Sequence, residues 1–266
     1  MEHERTPRPL SRTVGELVAE DYARASVFAQ YGIDFCCGGD RLLARACEEA
    51  GVPPESVLQA LTELGRSASS HPGPRLWTLA RLVAHIEQEH HGYVRRTLPR
   101  LRQWTETIAR VHGPRHPELA EIEQLVKELE GELESHMRDE ETRLFPQIAV
   151  REDPGEREAG TIPGALVEAL EDDHEHAGEL ARRIRRLAND FVPPVDACAT
   201  YTATYALLEE FETDLHRHVH LENNILFPRA RARFVQHGTA ATPGDVTGGP
   251  GPSPRGVPGA GGPAEA

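Results

Sequence analysis

The sequence has few cysteines and lacks a long apolar run. Four cysteines among 266 residues, two of them adjacent at Cys36 and Cys37, do not form the disulfide framework of a small secreted protein, so we expect reduced thiols. No stretch approaches the roughly 18 apolar residues that a membrane span requires, and residues 1–8 lack the apolar core of a signal peptide. We therefore expect a cytoplasmic protein that has no membrane segment.

Positive charge is also scarce. The chain carries 43 acidic and 29 basic side chains, which gives a formal net charge of −14. This charge opposes binding to nucleic acid or to an anionic membrane surface. A basic run at residues 182–186 is interrupted by Ile184 and is typical of the solvent face of a helix. We therefore expect neither nucleic acid nor a membrane as a partner.

Composition divides the chain into four regions. The first shows three short helical patterns, and a capping box of Thr13 and Glu16 opens a helix that we expect to run to about Gln30. A second helix is expected near 40–50, and Pro53 precedes a third. The second region is rich in Ser, Pro and Gly, and the last has almost nothing apolar to bury. The regions are a small helical domain at 10–68, a linker at 69–74, a larger helical domain at 75–234 and a disordered tail at 235–266.

The larger domain contains four long helical patterns. They lie at about 75–110, 117–149, 164–190 and 195–234. We therefore predict an all-α protein in which a four-helix bundle with up-down topology follows the small helical domain.

An internal repeat within the long helices is the strongest signal in the sequence. A His-x3-Glu pair followed by Leu-Phe-Pro occurs twice, and each copy has a histidine upstream at a matching distance. His91 lies 45 residues before His136, and His174 lies 44 residues before His218. The two copies are His136, Glu140, Leu144, Phe145 and Pro146, and His218, Glu222, Leu226, Phe227 and Pro228. This duplication predicts a pseudo-symmetric bundle.

The polar residues of the repeat lie in the apolar stripes of their helices. Residues at i and i+4 project from one helix face, so each His-x3-Glu pair can clasp a metal ion. An unpaired buried carboxylate costs several kcal/mol, and no Lys or Arg occupies the stripes that hold Glu140 and Glu222. Metal ions supply the missing positive charge. Histidine with bridging carboxylates suits iron or manganese, whereas closed zinc sites more often use thiolates.

Structural roles for these histidines are the main alternative. A single core histidine is more often a hydrogen-bonded structural residue than a ligand, but that interpretation would have to hold for every member of a duplicated pattern. At about 100° per residue, His176, His216 and His220 are expected to face solvent. On the first long helix the apolar direction lies nearer His90 than His91, so the pattern alone does not choose between them.

Motifs at both ends of the chain carry a family resemblance. They are Asp34, Phe35, Cys36, Cys37, Gly38 and Gly39 in the first domain, and Ser135-His136-Met137, Asp173-His174, Ala197-Cys198 and Leu221-Glu222-Asn223-Asn224 in the second. In these motifs, over about residues 14–229, the chain resembles the RIC family of di-iron proteins for the repair of iron–sulfur centres, whose second domain is hemerythrin-like.

The resemblance implies two non-haem iron ions per chain, with room for an oxo or hydroxo bridge. It implies iron ligands at His91, His136, His174 and His218, and carboxylate bridges from Glu140 and Glu222. It selects His91 because that residue stands seven before Leu98, where the family has its first ligand. The sequence departs from relatives in having His90 beside it and in a longer Gly-Pro-rich tail.

The adjacent cysteines need a separate assessment. A disulfide between neighbouring residues is strained, so none is expected between Cys36 and Cys37. Flanking glycines predict accessible thiols, which bind metal, exchange disulfides or react with oxidants. We expect a redox or iron-handling role, with a purely structural turn as the alternative. Cys47 and Cys198 are expected to be inert packing residues.

The resemblance implies a function in stress repair. The protein would restore iron–sulfur proteins damaged by nitric oxide or peroxide, with the di-iron centre supplying iron. Its partners would be those damaged proteins and small diatomic ligands, and a homodimer is compatible with the sequence. One alternative is a di-iron oxidoreductase that reduces nitric oxide or oxygen. Another is a hemerythrin-like carrier or sensor, although the Cys36-Cys37 domain argues against a plain carrier.

Overall fold

The computed structural model describes residues 9–65, 73–152 and 162–236. Within these ranges the predicted all-α class is confirmed, and the secondary structure consists of helices apart from one parallel pair of two-residue strands. These strands are β1 (Ile162–Pro163) and β2 (Val235–Gln236). No helix of the described ranges is long and apolar enough to cross a membrane.

The linker and the tail expected from the sequence lie largely outside the described residues. The linker predicted at 69–74 lies outside the described residues except for 73–74, where a short 3-10 helix, Pro74–Leu76, begins. The tail predicted at 235–266 lies outside them except for 235–236, which form β2 rather than a disordered segment.

Four short helices form the amino-terminal domain. The expected capping box is present, because the N–H of Glu16 donates to the Oγ1 of Thr13 and the N–H of Thr13 donates to the Oε2 of Glu16, both at 3.2 Å. The single helix expected to reach Gln30 is instead two helices, because Asp21 is extended and its carboxylate accepts a hydrogen bond from the N–H of Ala23. The helices are α1 (Val14–Glu20), α2 (Arg24–Gln30), α3 (Leu43–Ala50) and α4 (Pro54–Gly65).

Four long helical rods follow. The first rod consists of α5 (Leu79–His85), a π-helical segment (Ile86–His91) and α6 (Gly92–His112), and the second of α7 (Glu118–Asp139), a π segment (Glu140–Leu144) and α8 (Phe145–Glu152). The third rod is the single helix α9 (Gly164–Leu187). The fourth consists of α10 (Ala199–Leu221), a π segment (Glu222–Leu226) and α11 (Phe227–Phe234). In the bundle α6 packs on α7, α7 on α9, and α10 on both α9 and α6. The four patterns expected from the sequence therefore correspond to the four rods.

The three π segments begin or end at proposed ligands. In the second and fourth rods the N–H of Phe145 reaches the carbonyl of Glu140, and the N–H of Phe227 reaches that of Glu222, five residues back. A proline follows each phenylalanine and has no N–H to continue the α-helical bonding. The repeated Leu-Phe-Pro motif therefore marks a widened turn, of the kind that is frequent at functional sites.

The amino-terminal domain packs on the rod that carries the second copy of the repeat. Helix α1 contacts both α10 and the π segment that follows it. Apolar residues of the two domains, among them Phe28 and Leu98, belong to one continuous core. This packing brings the Cys36-Cys37 turn close to the middle of the bundle.

Candidate metal centre

The structure brings all six proposed ligands together inside the bundle. Each of them is at most 2% exposed. Their ligand atoms form two groups, and within each group all atoms lie within 4.8 Å of one another. The groups are His91, Glu140, His218 and Glu222, and His136, Glu140, His174 and Glu222. Both carboxylates belong to both groups.

The first group combines histidines from opposite copies of the repeat. The Nε2 atoms of His91 and His218 face each other at 3.1 Å. The Nε2 of His91 is 3.2 Å from the Oε2 of Glu140, and the Nε2 of His218 is 3.0 Å from the Oε1 of Glu222. Four donor atoms from three rods therefore converge on one point.

The second group repeats this arrangement. The Nε2 atoms of His136 and His174 are 2.9 Å apart. The Nε2 of His136 is 3.2 Å from the Oε2 of Glu140, and the Nε2 of His174 is 3.1 Å from the Oε2 of Glu222. Each carboxylate thus lies between the two groups, as a bridge requires.

The chemistry of these donors fits a pair of metal ions. Both carboxylate oxygens of Glu140 and the Oε2 of Glu222 are buried without a hydrogen bond among the described residues. A histidine–metal bond is about 2.1 Å long, and two such bonds at a right angle separate their donor atoms by about 3 Å, which is the spacing seen here. Converging lone pairs and unsatisfied buried oxygens are stabilised when cations lie among them.

Neighbouring groups orient three of the four imidazoles. The Nδ1 of His91 is 2.7 Å from the Oε1 of Glu141, that of His136 is 3.3 Å from the Oδ2 of Asp173, and that of His174 is 2.7 Å from the Oδ1 of Asn223. A proton on Nδ1 leaves the Nε2 lone pair free for a metal ion. The sequence reasoning missed these partners, although Glu141, Asp173 and Asn223 each adjoin a proposed ligand.

The phenylalanine of each repeat packs on a histidine from another rod. The ring of Phe145 stacks on His91 at a centroid distance of 5.7 Å, and that of Phe227 stacks on His174 at 5.8 Å. Because these histidines are the upstream members of the two copies, the duplication extends from ligands to the apolar wall around them.

Without metal, protons balance the buried charge. Burial acts to lower the pKa of His91, but Glu140 and Glu222 outweigh it and raise that pKa to about 10. Burial acts to raise the pKa of both carboxylates, yet the surrounding imidazoles hold each pKa below its usual value. Metal binding would replace imidazole protons, since a ligating imidazole nitrogen carries none.

His90 lies beside the centre but outside both groups. Its ring stacks on His218, and its Nδ1 is 3.0 Å from the Oδ1 of Asp214. Both His90 and His91 are buried because they end a π segment, in which the angle per residue of an ideal α-helix does not apply. The structure therefore places His91, not His90, with the other five residues.

Two of the three histidines expected to face solvent do not. His176 is exposed, whereas His216 is half-buried and His220 is 1% exposed. The ring of His220 packs against Tyr22 and Phe35. The prediction failed because the amino-terminal domain covers the side of α10 that points away from the bundle.

The Cys36-Cys37 turn lies against the metal-centre helices. The two Sγ atoms are 4.0 Å apart and form no disulfide, as expected, and the thiol of Cys36 donates a hydrogen bond to the sulfur of Cys37. Accessible thiols were predicted, but Cys36 is 4% exposed and Cys37 is half-buried. The Sγ of Cys37 is 3.5 Å from the backbone carbonyl oxygen of His174. The hydrogen bond from Cys36 to Cys37, burial and the neighbouring Asp34 carboxylate, to which Cys36 also donates, raise the pKa of Cys36 well above the usual value for a thiol.

Gly39 makes room for an amide rather than for the thiols. A Cβ at Gly39 or at Gly15 would overlap the side-chain oxygen of Asn224. The N–H of Gly15 donates to the carbonyl of Gly39 at 2.7 Å. The amide of Asn224 in turn donates to the carbonyl oxygens of Phe35 and Cys36, each at 3.2 Å.

The remaining cysteines differ from each other. Cys47 is fully buried, as expected for a packing residue. Cys198 is exposed, so its expected packing role is wrong. It precedes α10 in a connection that crosses the end of the bundle rather than its core.

Comparison with known proteins agrees with this architecture. Residues 82–230 match the hemerythrin HHE cation binding domain, and residues 10–65 match a domain of unknown function, DUF542, whose model bears the name ScdA_N. The fold and the buried His/Glu cluster thus define a hemerythrin-type cation-binding protein with an additional amino-terminal domain.

Several relatives match this chain over most of its length. The iron–sulfur cluster repair protein ScdA of Staphylococcus haemolyticus is 30% identical over 80% of this chain and 95% of its own length. YtfE of Citrobacter koseri, with the same description, is 34% identical over 82% and 96%, and a probable repair protein of Haemophilus influenzae is 32% identical over 81% and 95%. The chain belongs to the family of the iron–sulfur cluster repair proteins ScdA and YtfE.

Proposed function

We propose that the six converging residues hold two iron ions per chain. His91 and His218 would bind one ion, His136 and His174 would bind the other, and Glu140 and Glu222 would bridge them. The observation that carries this proposal is the sharing of both buried carboxylates between two histidine pairs at about 3 Å spacing. When bound, the irons supply redox activity and ferrous ions that can be released.

We further propose that this chain restores iron–sulfur clusters damaged by oxidative or nitrosative stress, in the cytoplasm, by supplying iron. The names of the relatives support this role. Damaged iron–sulfur proteins would be its partners, and small diatomic molecules would be its ligands.

A cleft lies beside the second histidine pair. It has a volume of about 540 Å³ and lies between α9 and the second rod. Asp139, Arg143 and Asp173 line it, and Asp173 contacts the Nδ1 of His136. Asp139 is paired with Arg143 at 3.2 Å, so Asp173 is the lining carboxylate that adjoins the centre.

The two domains have different proposed roles. We assign the metal centre to 75–234 and place Cys36 and Cys37 in the 10–68 domain, joined by the 69–74 linker and followed by the 235–266 tail. Asp34, Cys36 and Cys37 bring three ligand atoms within 4.8 Å of one another. These thiols would handle iron or electrons next to the His174 backbone.

The test uses an iron–sulfur enzyme inactivated by nitric oxide or peroxide. Wild-type protein should restore its activity, and iron should leave the repair protein in proportion to the repair. His218→Ala should lose iron and repair together. Equal repair by iron-free His218→Ala would refute iron donation. Steady turnover of nitric oxide or oxygen with an electron donor, without iron loss, would identify an oxidoreductase instead, and a stable reversible adduct would identify a carrier or sensor.

A further inference from the structure

A thiol and an imidazole meet at the end of the bundle remote from the metal centre. Cys198 is the residue before α10, and His112 is the last residue of α6. Each is about 20 residues along its helix from a proposed ligand, and at 1.5 Å per residue this places the pair roughly 30 Å from the centre. The pair is therefore a separate feature of the fold.

The imidazole is buried and directed at the thiol. His112 is 5% exposed, whereas Cys198 is exposed. The Nε2 of His112 lies 3.2 Å from the Sγ of Cys198. The ring of Tyr201 packs edge-on against the imidazole at a centroid distance of 5.3 Å and fixes its orientation. The Nδ1 of His112 has no hydrogen-bond partner among the described residues, so the thiol is the polar group that the imidazole engages.

A second histidine nearby has different partners. The Nε2 of His116 is 3.0 Å from the Oδ1 of Asp196, and its Nδ1 is 3.3 Å from the Oε1 of Glu118. Both nitrogens of His116 are thus engaged by carboxylates, and His112 is the histidine that contacts Cys198. This difference supplies a matched control within one cluster.

The position of Cys198 also favours a nucleophile. A sulfur at the start of a helix lies near the unpaired N–H groups of the first turn, whose partial positive charge stabilises an anion. The side chain of Cys198 makes no capping hydrogen bond to the first turn of α10, and its sulfur contacts the Nε2 of His112 instead. A thiol, an adjacent base and an exposed approach are the elements that nucleophilic catalysis by cysteine requires.

We propose that Cys198 is a site of S-thiolation, at which it reacts with the disulfide of an oxidised low-molecular-weight thiol, with His112 as the base. The Nε2 of His112 takes the thiol proton, and the Sγ attacks one sulfur of the disulfide. A new S–S bond forms at Cys198 as the old one breaks, and the departing thiolate takes the proton from His112. The disulfide is reduced to one thiol while Cys198 is oxidised to the mixed disulfide, so atoms and electrons balance.

The experiment treats full-length, iron-loaded protein with oxidised glutathione and follows each cysteine by peptide mass spectrometry. Wild-type Cys198 should form the mixed disulfide, and His112→Gln should slow this reaction by at least about tenfold. His116→Gln should stay within about twofold of wild type. Unmodified Cys198 in the wild type, or equal rates in wild type and His112→Gln, would overturn the proposal.

A second measurement does not depend on the folding of a variant. The rate at Cys198 in the native wild type is compared with the rate at the same cysteine after unfolding in urea. The proposal expects the native rate to be at least about tenfold higher, because unfolding separates the thiol from His112 and from the helix. A native rate equal to or below the unfolded rate contradicts it.

Discussion

The side-chain amide of Asn224 donates a hydrogen bond to the backbone carbonyl of Cys36 at 3.2 Å. Asn224 lies in the π segment that begins with Glu222, so one turn of helix joins a proposed bridging ligand to the CysCys turn. Glycines at 15 and 39 allow this approach. The two domains are thus connected at the metal centre, and changes at this contact should affect the thiols before they affect the metal.

Asn224→Ala should expose the cysteines. The variant removes the amide that binds the carbonyls of Phe35 and Cys36 and should destabilise the docked turn by about 2 kcal/mol. Alkylation of Cys36 by iodoacetamide, followed by mass spectrometry, should become faster than in the wild type while iron content stays unchanged. Unchanged alkylation would show that Asn224 does not hold the turn.

Asn223→Ala should have the opposite pattern. The Oδ1 of Asn223 accepts from the Nδ1 of His174, and loss of such a partner typically costs about 10- to 100-fold in metal affinity. Competition with a chelator should show this loss, and Cys36 alkylation should remain slow. The neighbouring Asn224→Ala variant serves as the control, and equal iron affinity in both variants would contradict the assignment.

Acid should weaken the contact between the domains. Burial lowers the pKa of His220 from about 6.5 in the unfolded chain to about 4. Between these values the unfolded state binds the extra proton, so stability is full above about pH 6.5 and falls as the pH decreases toward 4. His220 should therefore cost about 2 kcal/mol of stability between pH 7 and pH 5.

Denaturant unfolding of metal-free wild type and His220→Gln at pH 7 and pH 5 measures this effect. The variant has no titratable group at that position, so its loss of stability on acidification should be smaller by the same amount. An identical loss in both proteins would show that His220 is not buried in its neutral form.

The sequence predicted most of the fold because the long helices carry strong periodic patterns and a duplicated motif. It also predicted that the carboxylates of Glu140 and Glu222 would need compensation in the core. Helical phase could not predict that His91 rather than His90 joins the ligands, because the π segment that contains both residues changes the angle per residue. Family resemblance, rather than periodicity, made that choice.

Other failures came from contacts between domains. Helical phase predicts which side of a helix faces the rest of the bundle. It placed His220 in solvent because it does not account for the amino-terminal domain, which covers the other side of α10. The glycines beside Cys36 suggested open thiols, but Gly39 gives space to Asn224 from the distant end of the chain. Long-range packing of this kind leaves no local pattern in the sequence.

The shared carboxylates test the central claim most directly. Protein reconstituted with ferrous iron under anaerobic conditions should contain about two irons per chain. Glu140→Gln should fall below about one, because one carboxylate serves both ions. Glu134→Gln, an exposed control on the same rod, should keep about two. Full loading of Glu140→Gln, or a wild type that never exceeds one iron, would contradict a dinuclear centre bridged by Glu140.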